Sequence, residues 1–307
     1  MAPVLLVTGA TGYLGSALSG LLVARGLPVR VLVRDPARAE GVLPPGVEVV
    51  RGELVEPAAL ERAVRGCDGV FHVAGSVGHS AEETRRANVD GTRALLAAAR
   101  AAGVPRFVYT STSAAVMDST GLVAEEPAGP PALTDPYSAS KAAAERLVLA
   151  AAADGLDAVV VNPVSIYGPS PRGPLSYNGL LLGAARGEVD QVVDAPVGWV
   201  LAEDAAAGHL LALERGRPGR RYVLCGEVAA FGRVLHAFAD RLGGTRVRTL
   251  PPGCRLGPDA GTFARRSEVY GMFPPVRVDD RGARELGFAP RGVDEGIALT
   301  AAWIGRL

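Results

Sequence analysis

Eight residues into the chain, Thr8-Gly9-Ala10-Thr11-Gly12-Tyr13-Leu14-Gly15 separates a β-type run, Val4–Thr8, from a helical stretch, Tyr13–Arg25. Leu14, Leu18, Leu21 and Leu22 share one face of that stretch. Glycine at every third position of a strand-to-helix turn leaves few folds open. One glycine turns the chain sharply, one lets backbone approach a pyrophosphate, and one packs helix on strand. The helix start then offers free N–H groups and a favourable dipole to phosphates. Gly9, Thr11, Gly12, Tyr13, Leu14 and Gly15 are therefore expected at a dinucleotide.

The alternation continues. Val29–Arg34 reads as a strand, Pro57–Val64 as a weaker helix, and Val70–Val73 as a strand. Glu82–Ala102 reads as a helix, Arg106–Ser111 as a strand, Pro136–Ala153 as a helix, and Ala158–Asn162 as a strand. This predicts an α/β fold, a doubly wound parallel sheet with helices on both faces. After Asn162 the regularity fades. Pro and Gly cluster through Pro174 and again over Leu250–Pro258, with a helix expected near Leu175–Ala185. We expect a dinucleotide-binding domain over 1–164 and a smaller C-terminal substrate domain over 165–307. Segments around 189–226 are expected to return to the first domain.

Charge narrows the partners. Thirty-two basic residues balance 32 acidic ones, which argues against nucleic acid. No apolar stretch approaches the roughly 18 residues of a membrane span, and the N-terminus lacks a basic signal region. Cys67, Cys225 and Cys254 lie far apart without CxxC spacing, as expected of reduced thiols. His72, His79, His209 and His236 show no metal-ligand spacing. The expectation is a cytoplasmic protein, monomer or homodimer, acting on a small molecule without metal or membrane. Of the 32 basic residues only Lys141 is a lysine.

That lysine closes Tyr137-Ser138-Ala139-Ser140-Lys141. Four residues apart on a helix, the two side chains share a face. An ammonium beside a phenol favours phenolate. The run from Phe107 to Ser113 brings the hydroxyls of Thr110, Ser111, Thr112 and Ser113 to a strand's C-terminal end, where open α/β sheets bind ligands. At the end of the second strand Arg34, with Arg38 beyond it, stands where an acidic residue would take a ribose 2′-OH. This favours a 2′-phosphate and hence NADP(H) over NAD(H), although Asp35 could also reach a ribose.

With these motifs in place, the chain resembles the extended short-chain dehydrogenase/reductases. Within them it is most similar to the dihydroflavonol-reductase-like branch of the NAD-dependent epimerase/dehydratase family. TGATGYLG, VRVLVRDPAR, GVFHVAG, NVDGTRALL, FVYTSTSAAV, DPYSASKAAAERLV, NPVSIYGP, WVLAEDAAAGHLLAL and RYVLCGE occur in that family's order. The resemblance implies a Rossmann sheet. It makes Tyr137 the acid that protonates a carbonyl oxygen, Lys141 its partner and a ribose ligand, and Thr112 the substrate-binding hydroxyl, with Ser111 and Ser113 as rivals. It places Glu53 and Leu54 near the adenine, Val73, Ala74 and Gly75 along the cofactor, and Asn88, Asn162, Pro163 and Ser165 around it.

The family's usual Gly-Asp-Leu is Gly52-Glu53-Leu54 here, and its histidine motif becomes Leu201-Ala202-Glu203-Asp204, read as a helix-start charge pair. His72 is expected in the cleft wall, and His79 is a candidate at the substrate entrance. Tyr167 and Trp199 are candidates for the substrate wall or for the core. The leading expectation is an NADP(H)-dependent reductase of a small-molecule ketone or aldehyde. The alternatives are a nucleotide-sugar epimerase or dehydratase, a non-redox cyclase or lyase, and a dinucleotide sensor.

Overall fold

Alternation along β1 (Leu5–Thr8) sends Leu5 and Val7 to one side and Leu6 to the other, and all are buried. The computed structural model describes residues 3–77 and 80–306. After β1 come α1 (Tyr13–Ala24), β2 (Val29–Val33), β3 (Glu48–Arg51), α2 (Pro57–Val64) and β4 (Gly69–His72). Next are α3 (Ala81–Arg85), α4 (Gly91–Ala101), β5 (Phe107–Thr110), β6 (Leu122–Ala124), α5 (Pro136–Ala153) and β7 (Ala158–Pro163). Then follow β8 (Ser165–Tyr167), α6 (Tyr177–Ala185), β9 (Gln191–Val193), β10 (Pro196–Leu201), α7 (Ala202–Arg215) and β11 (Arg221–Leu224). The last are β12 (Glu227–Ala230), α8 (Phe231–Leu242), β13 (Arg248–Leu250), α9 (Thr262–Gly271), β14 (Arg277–Asp279), α10 (Arg281–Glu285) and α11 (Val293–Ile304).

Seven strands form the main sheet in the order β11-β7-β5-β4-β1-β2-β3, every pair parallel. The interior strands are buried on both faces, as helix-covered parallel strands must be. One face packs Leu14, Leu18 and Leu22 of α1 and Leu210 of α7 against Leu5, Val7 and Val161. The other packs Leu60 of α2, Leu95 of α4 and Val148 of α5 against Leu6, Phe107 and Val160. Chain order reverses between β1 and β4, and such a switch opens a crevice beyond the strands' C-terminal ends. The remaining strands make β12-β10-β8, β13-β9 and β14-β6.

The doubly wound parallel sheet matches the sequence expectation. The helix expected over Glu82–Ala102 is instead three pieces, α3, a π-helical turn over Arg86–Asp90, and α4. The turn aims Asn88 inward. Its Oδ1 accepts from the Ser76 N–H at 2.8 Å, and its Nδ2 donates to the Ser140 hydroxyl at 2.9 Å. No strand was read from the pattern at Glu48–Arg51, an exposed edge lacking alternation.

Candidate active site

The crevice is a cleft of about 890 Å³. The glycine turn forms its floor. Gly9 has φ +72°, and a Cβ there would lie 2.6 Å from the backbone of Ala74, just beyond β4. A Cβ on Gly15 would lie 2.2 Å from the Gly9 carbonyl oxygen. Neither position has room for a side chain, and their contact sets how closely α1 meets β1. Gly12 begins α1 without a side-chain cap, so the first-turn N–H groups face the cleft. Thr11, Tyr13 and Leu14 line the same floor. Arg34, Arg38, Glu53 and Leu54 line one end. Asp35 turns away and caps the following 3-10 turn through the Ala37 N–H at 3.1 Å.

Thr110, Ser111, Thr112, Tyr137, Lys141 and Pro163 line the other end, with Val73, Ala74 and Gly75 between. Asp135 caps α5 by accepting from the Ser138 N–H at 3.2 Å, and Pro136 supplies a preset first helical residue. Tyr137 and Lys141 therefore fall on the face of α5 that meets the end of β5. Lys141 donates to the Thr110 carbonyl, and its Nζ sits 4.3 Å from the Tyr109 ring centre. Burial lowers its ammonium to about 7, opposed by the Glu145 carboxylate one turn on. Burial pushes the Tyr137 phenol up, while the Arg266 guanidinium and the nearby Thr112 hydroxyl pull it down. Arg266 comes from α9 and pairs with Asp135 at 3.4 Å. Of the three rival hydroxyls, Thr112 lines the cleft with Tyr137 and is the one near enough to act on its phenol. Ser111 also lines the cleft, its Oγ buried without a partner among the described residues, while Ser113 is buried and does not line it.

The family model described as NAD dependent epimerase/dehydratase matches residues 5–225. The chain belongs to the NAD dependent epimerase/dehydratase family. A Synechocystis sp. protein named as a dihydroflavonol 4-reductase is 37% identical, over 99% of this chain and 95% of its own. A Stigmatella aurantiaca protein, 4-hydroxy-2-methyl-3-oxo-4-farnesyl-3,4-dihydroquinoline-1-oxide ketoreductase, is 36% identical, over 93% of this chain and 91% of its own. Among solved structures, MoeE5 in complex with UDP-glucose and NAD superposes with a TM-score of 0.80 at 28% identity, covering 98% of each chain. The family binds a nicotinamide dinucleotide and holds reductases and epimerases alike.

The residues present fit that family's cofactor. The glycine turn has no space for side chains, α1 begins uncapped, and two polar atoms at the cleft, Ser111 Oγ and Arg172 Nε, are buried without partners among the described residues. Three expected residues stand one layer back. Asn88 braces Ser76, Asn162 donates to Glu145 at 2.9 Å and to the Thr112 carbonyl at 3.1 Å, and Ser165 is buried in β8. His72 is not in the wall. It is fully buried between the hydroxyls of Thr8 and Thr92, at 2.8 and 2.9 Å. Tyr167 and Trp199 belong to the core, stacked edge-to-face. Glu203 and Asp204 start α7 and hold Arg291. His79 lies outside the described residues. Among the described residues no cluster of His, Cys, Asp and Glu suits a metal, and no helix is long and apolar enough to cross a membrane.

Sequence reasoning missed Arg172 and Arg266, which approach the site from segments far along the chain. It also missed Glu145, although Tyr137, Lys141 and Glu145 follow at successive i,i+4 spacings on α5. That periodicity is a signal the sequence carries. Glu145 is almost fully buried, bonded to Asn162 and paired with Arg221 of β11 at 2.5 Å.

Proposed function

We propose that the chain reduces a ketone or aldehyde of a small-molecule metabolite to an alcohol, using NADPH. The observation that carries this reading is the convergence of Tyr137, Thr112 and Lys141 at one end of a cleft whose other end presents Arg34 and Arg38. Neither arginine has an ion-pair partner among the described residues, which suits a 2′-phosphate better than a bare ribose diol. The reductase names among the relatives support the same direction.

When bound, the nicotinamide supplies hydride to the carbonyl carbon. The protein's part is to hold and protonate the oxygen. Thr112 donates a hydrogen bond to it, and Tyr137 passes it a proton, becoming phenolate. Lys141, fixed by the Thr110 carbonyl and the Tyr109 ring, stands one helical turn from that phenol, and Arg266 faces it from α9.

The test is a panel of ketones and aldehydes with NADPH or NADH, followed at the nicotinamide absorbance. Net consumption with higher kcat/KM for NADPH is expected, and Arg34→Ala should erase most of that preference. Turnover without net consumption would instead place the chain with the epimerases, and a clear NADH preference would sink the cofactor assignment. Tyr137→Phe should lower kcat by about a hundredfold or more.

A further inference from the structure

The glycine turn has no basic side chain of its own between Thr8 and Ser16. A pyrophosphate there would meet N–H groups and roughly half a positive charge from the α1 dipole, against two negative charges. Five basic residues line the cleft: Arg34, Arg38, Arg86, Lys141 and Arg172. Arg34 and Arg38 stand at the end of β2, and Lys141 is committed to the Thr110 carbonyl. Arg86 is exposed, and Glu83 lines the cleft beside it.

Arg172 is different. It lies on the loop between β8 and α6, and that loop is tied to the glycine turn itself. The Tyr13 hydroxyl, from the first residue of α1, donates to the Gly168 carbonyl at 2.6 Å. Asn178 of α6 completes the tie. Its Nδ2 donates to the Tyr13 hydroxyl at 2.9 Å and to the Gly168 carbonyl at 2.7 Å, and its Oδ1 accepts from the Gly168 N–H at 2.9 Å. The Ser170 hydroxyl accepts from the Arg172 backbone N–H at 3.1 Å, fixing the turn that carries the side chain. The guanidinium has no carboxylate partner among the described residues, and its Nε is buried without any hydrogen-bond partner. With its Nε buried and unpaired and the rest of the side chain half-exposed at the cleft, the arginine is set for an anion from outside the chain.

We propose that Arg172 is a pyrophosphate-binding residue, closing on the dinucleotide from the loop opposite the glycine turn, with Tyr13 and Asn178 positioning it. The proposal rests on the binding of a dinucleotide. It does not rest on the preference for NADPH or on the substrate, because NADH and NADPH share the pyrophosphate.

The experiment compares wild type, Arg172→Gln, Arg172→Lys and Arg86→Gln by calorimetric titration with NADPH, NADH and adenosine 2′-monophosphate, which lacks the pyrophosphate. Arg172→Gln should weaken both dinucleotides at least about tenfold and leave adenosine 2′-monophosphate unchanged. Arg172→Lys should recover part of the loss, and Arg86→Gln should cost little. Tyr13→Phe should weaken both dinucleotides and be non-additive with Arg172→Gln. Unchanged dinucleotide affinity in Arg172→Gln overturns the proposal, as does an equal loss for all three ligands or an equal loss in Arg86→Gln. Normal dinucleotide affinity with a raised KM for the carbonyl compound would assign the arginine to substrate instead. If the wild type itself ignores adenosine 2′-monophosphate, the NADPH reading fails, and the NADH arm still decides Arg172.

Discussion

Lys141 is the one lysine beside 31 arginines, and its surroundings give a physical reason for the exception. Burial brings its ammonium down to about 7, so the folded chain can shed that proton near neutrality. The unfolded chain keeps it until about 10.4. Between these values the unfolded state binds more protons, so this group's contribution to stability rises with pH across the window. Lys141→Met should therefore melt higher than wild type at pH 6, and the gain should shrink by pH 9.5. Equal shifts at both pH values in a thermal melt would contradict this. Arginine cannot deprotonate in this range, so Lys141→Arg should fall further below wild type as pH rises from 7 to 10. The Tyr137–Lys141 pair was legible in the sequence because one helix carries both members. Arg172 and Arg266 were not, since only tertiary folding brings them to that helix and to the glycine turn. His72 was misplaced for a related reason. A strand residue next to a cleft has two faces to choose from, and the hydroxyls of Thr8 and Thr92 decide which.

The loop between β8 and α6 is held in shape by backbone that L-residues avoid. Gly168 and Gly173 have φ of +114° and +77°, and Ser176, just before α6, has φ +59° with ψ −135°. That last conformation is close to glycine-only and costs a serine about 1 kcal/mol or more. Ser176→Gly should raise the melting temperature by roughly 2 °C while leaving dinucleotide affinity within about twofold, since the loop's ties run through Tyr13 and Asn178. A fall in melting temperature would mean that the serine side chain stabilises the loop by more than its backbone costs. At this scale α1 and α5 were readable, α5 to the residue, because capping Asp135, Pro136 and an eighteen-residue pattern mark it, whereas α8, α9 and α11 in the less regular C-terminal part were not read. The three- and four-residue strands β6, β8, β9 and β11 to β14 were not read as strands, nor was the six-residue β10. The three- and four-residue ones are too short to show a period, and every one pairs with a strand elsewhere in the chain. The π turn around Asn88 was equally silent, because it adds no residue type that a helix would refuse.

The whole molecule is a sheet covered on two sides, and each side buries one neutral histidine against it. His72 of β4 points under α4 and shares a hydrogen bond with Thr92. His209 of α7 packs on the opposite face, between the Thr110 hydroxyl at 2.8 Å and the Ala205 carbonyl at 2.7 Å. Burial lowers His72 to about 3, helped by the Lys141 ammonium, and lowers His209 to about 4. Both are neutral in the fold, and both gain a proton near 6.5 once unfolded. The stability they contribute is complete above pH 6.5 and is lost as pH falls toward 4. Each histidine then costs about 1.4 kcal/mol per pH unit. The urea midpoint should accordingly drop steeply between pH 6.5 and 4.5. A His72→Gln, His209→Gln double variant, whose amides can still reach the same threonine hydroxyls, should show a much flatter profile. Parallel profiles would move the acid sensitivity away from these two layers and onto the carboxylates, whose protonation lies lower. Helix α5 is tied to the sheet beneath the site by Glu145, which pairs with Arg221 of β11 and accepts from Asn162 of β7. Acid loosening of the helix layers should therefore reach the cleft before the chain unfolds, and dinucleotide affinity should fall in the same pH window as the urea midpoint.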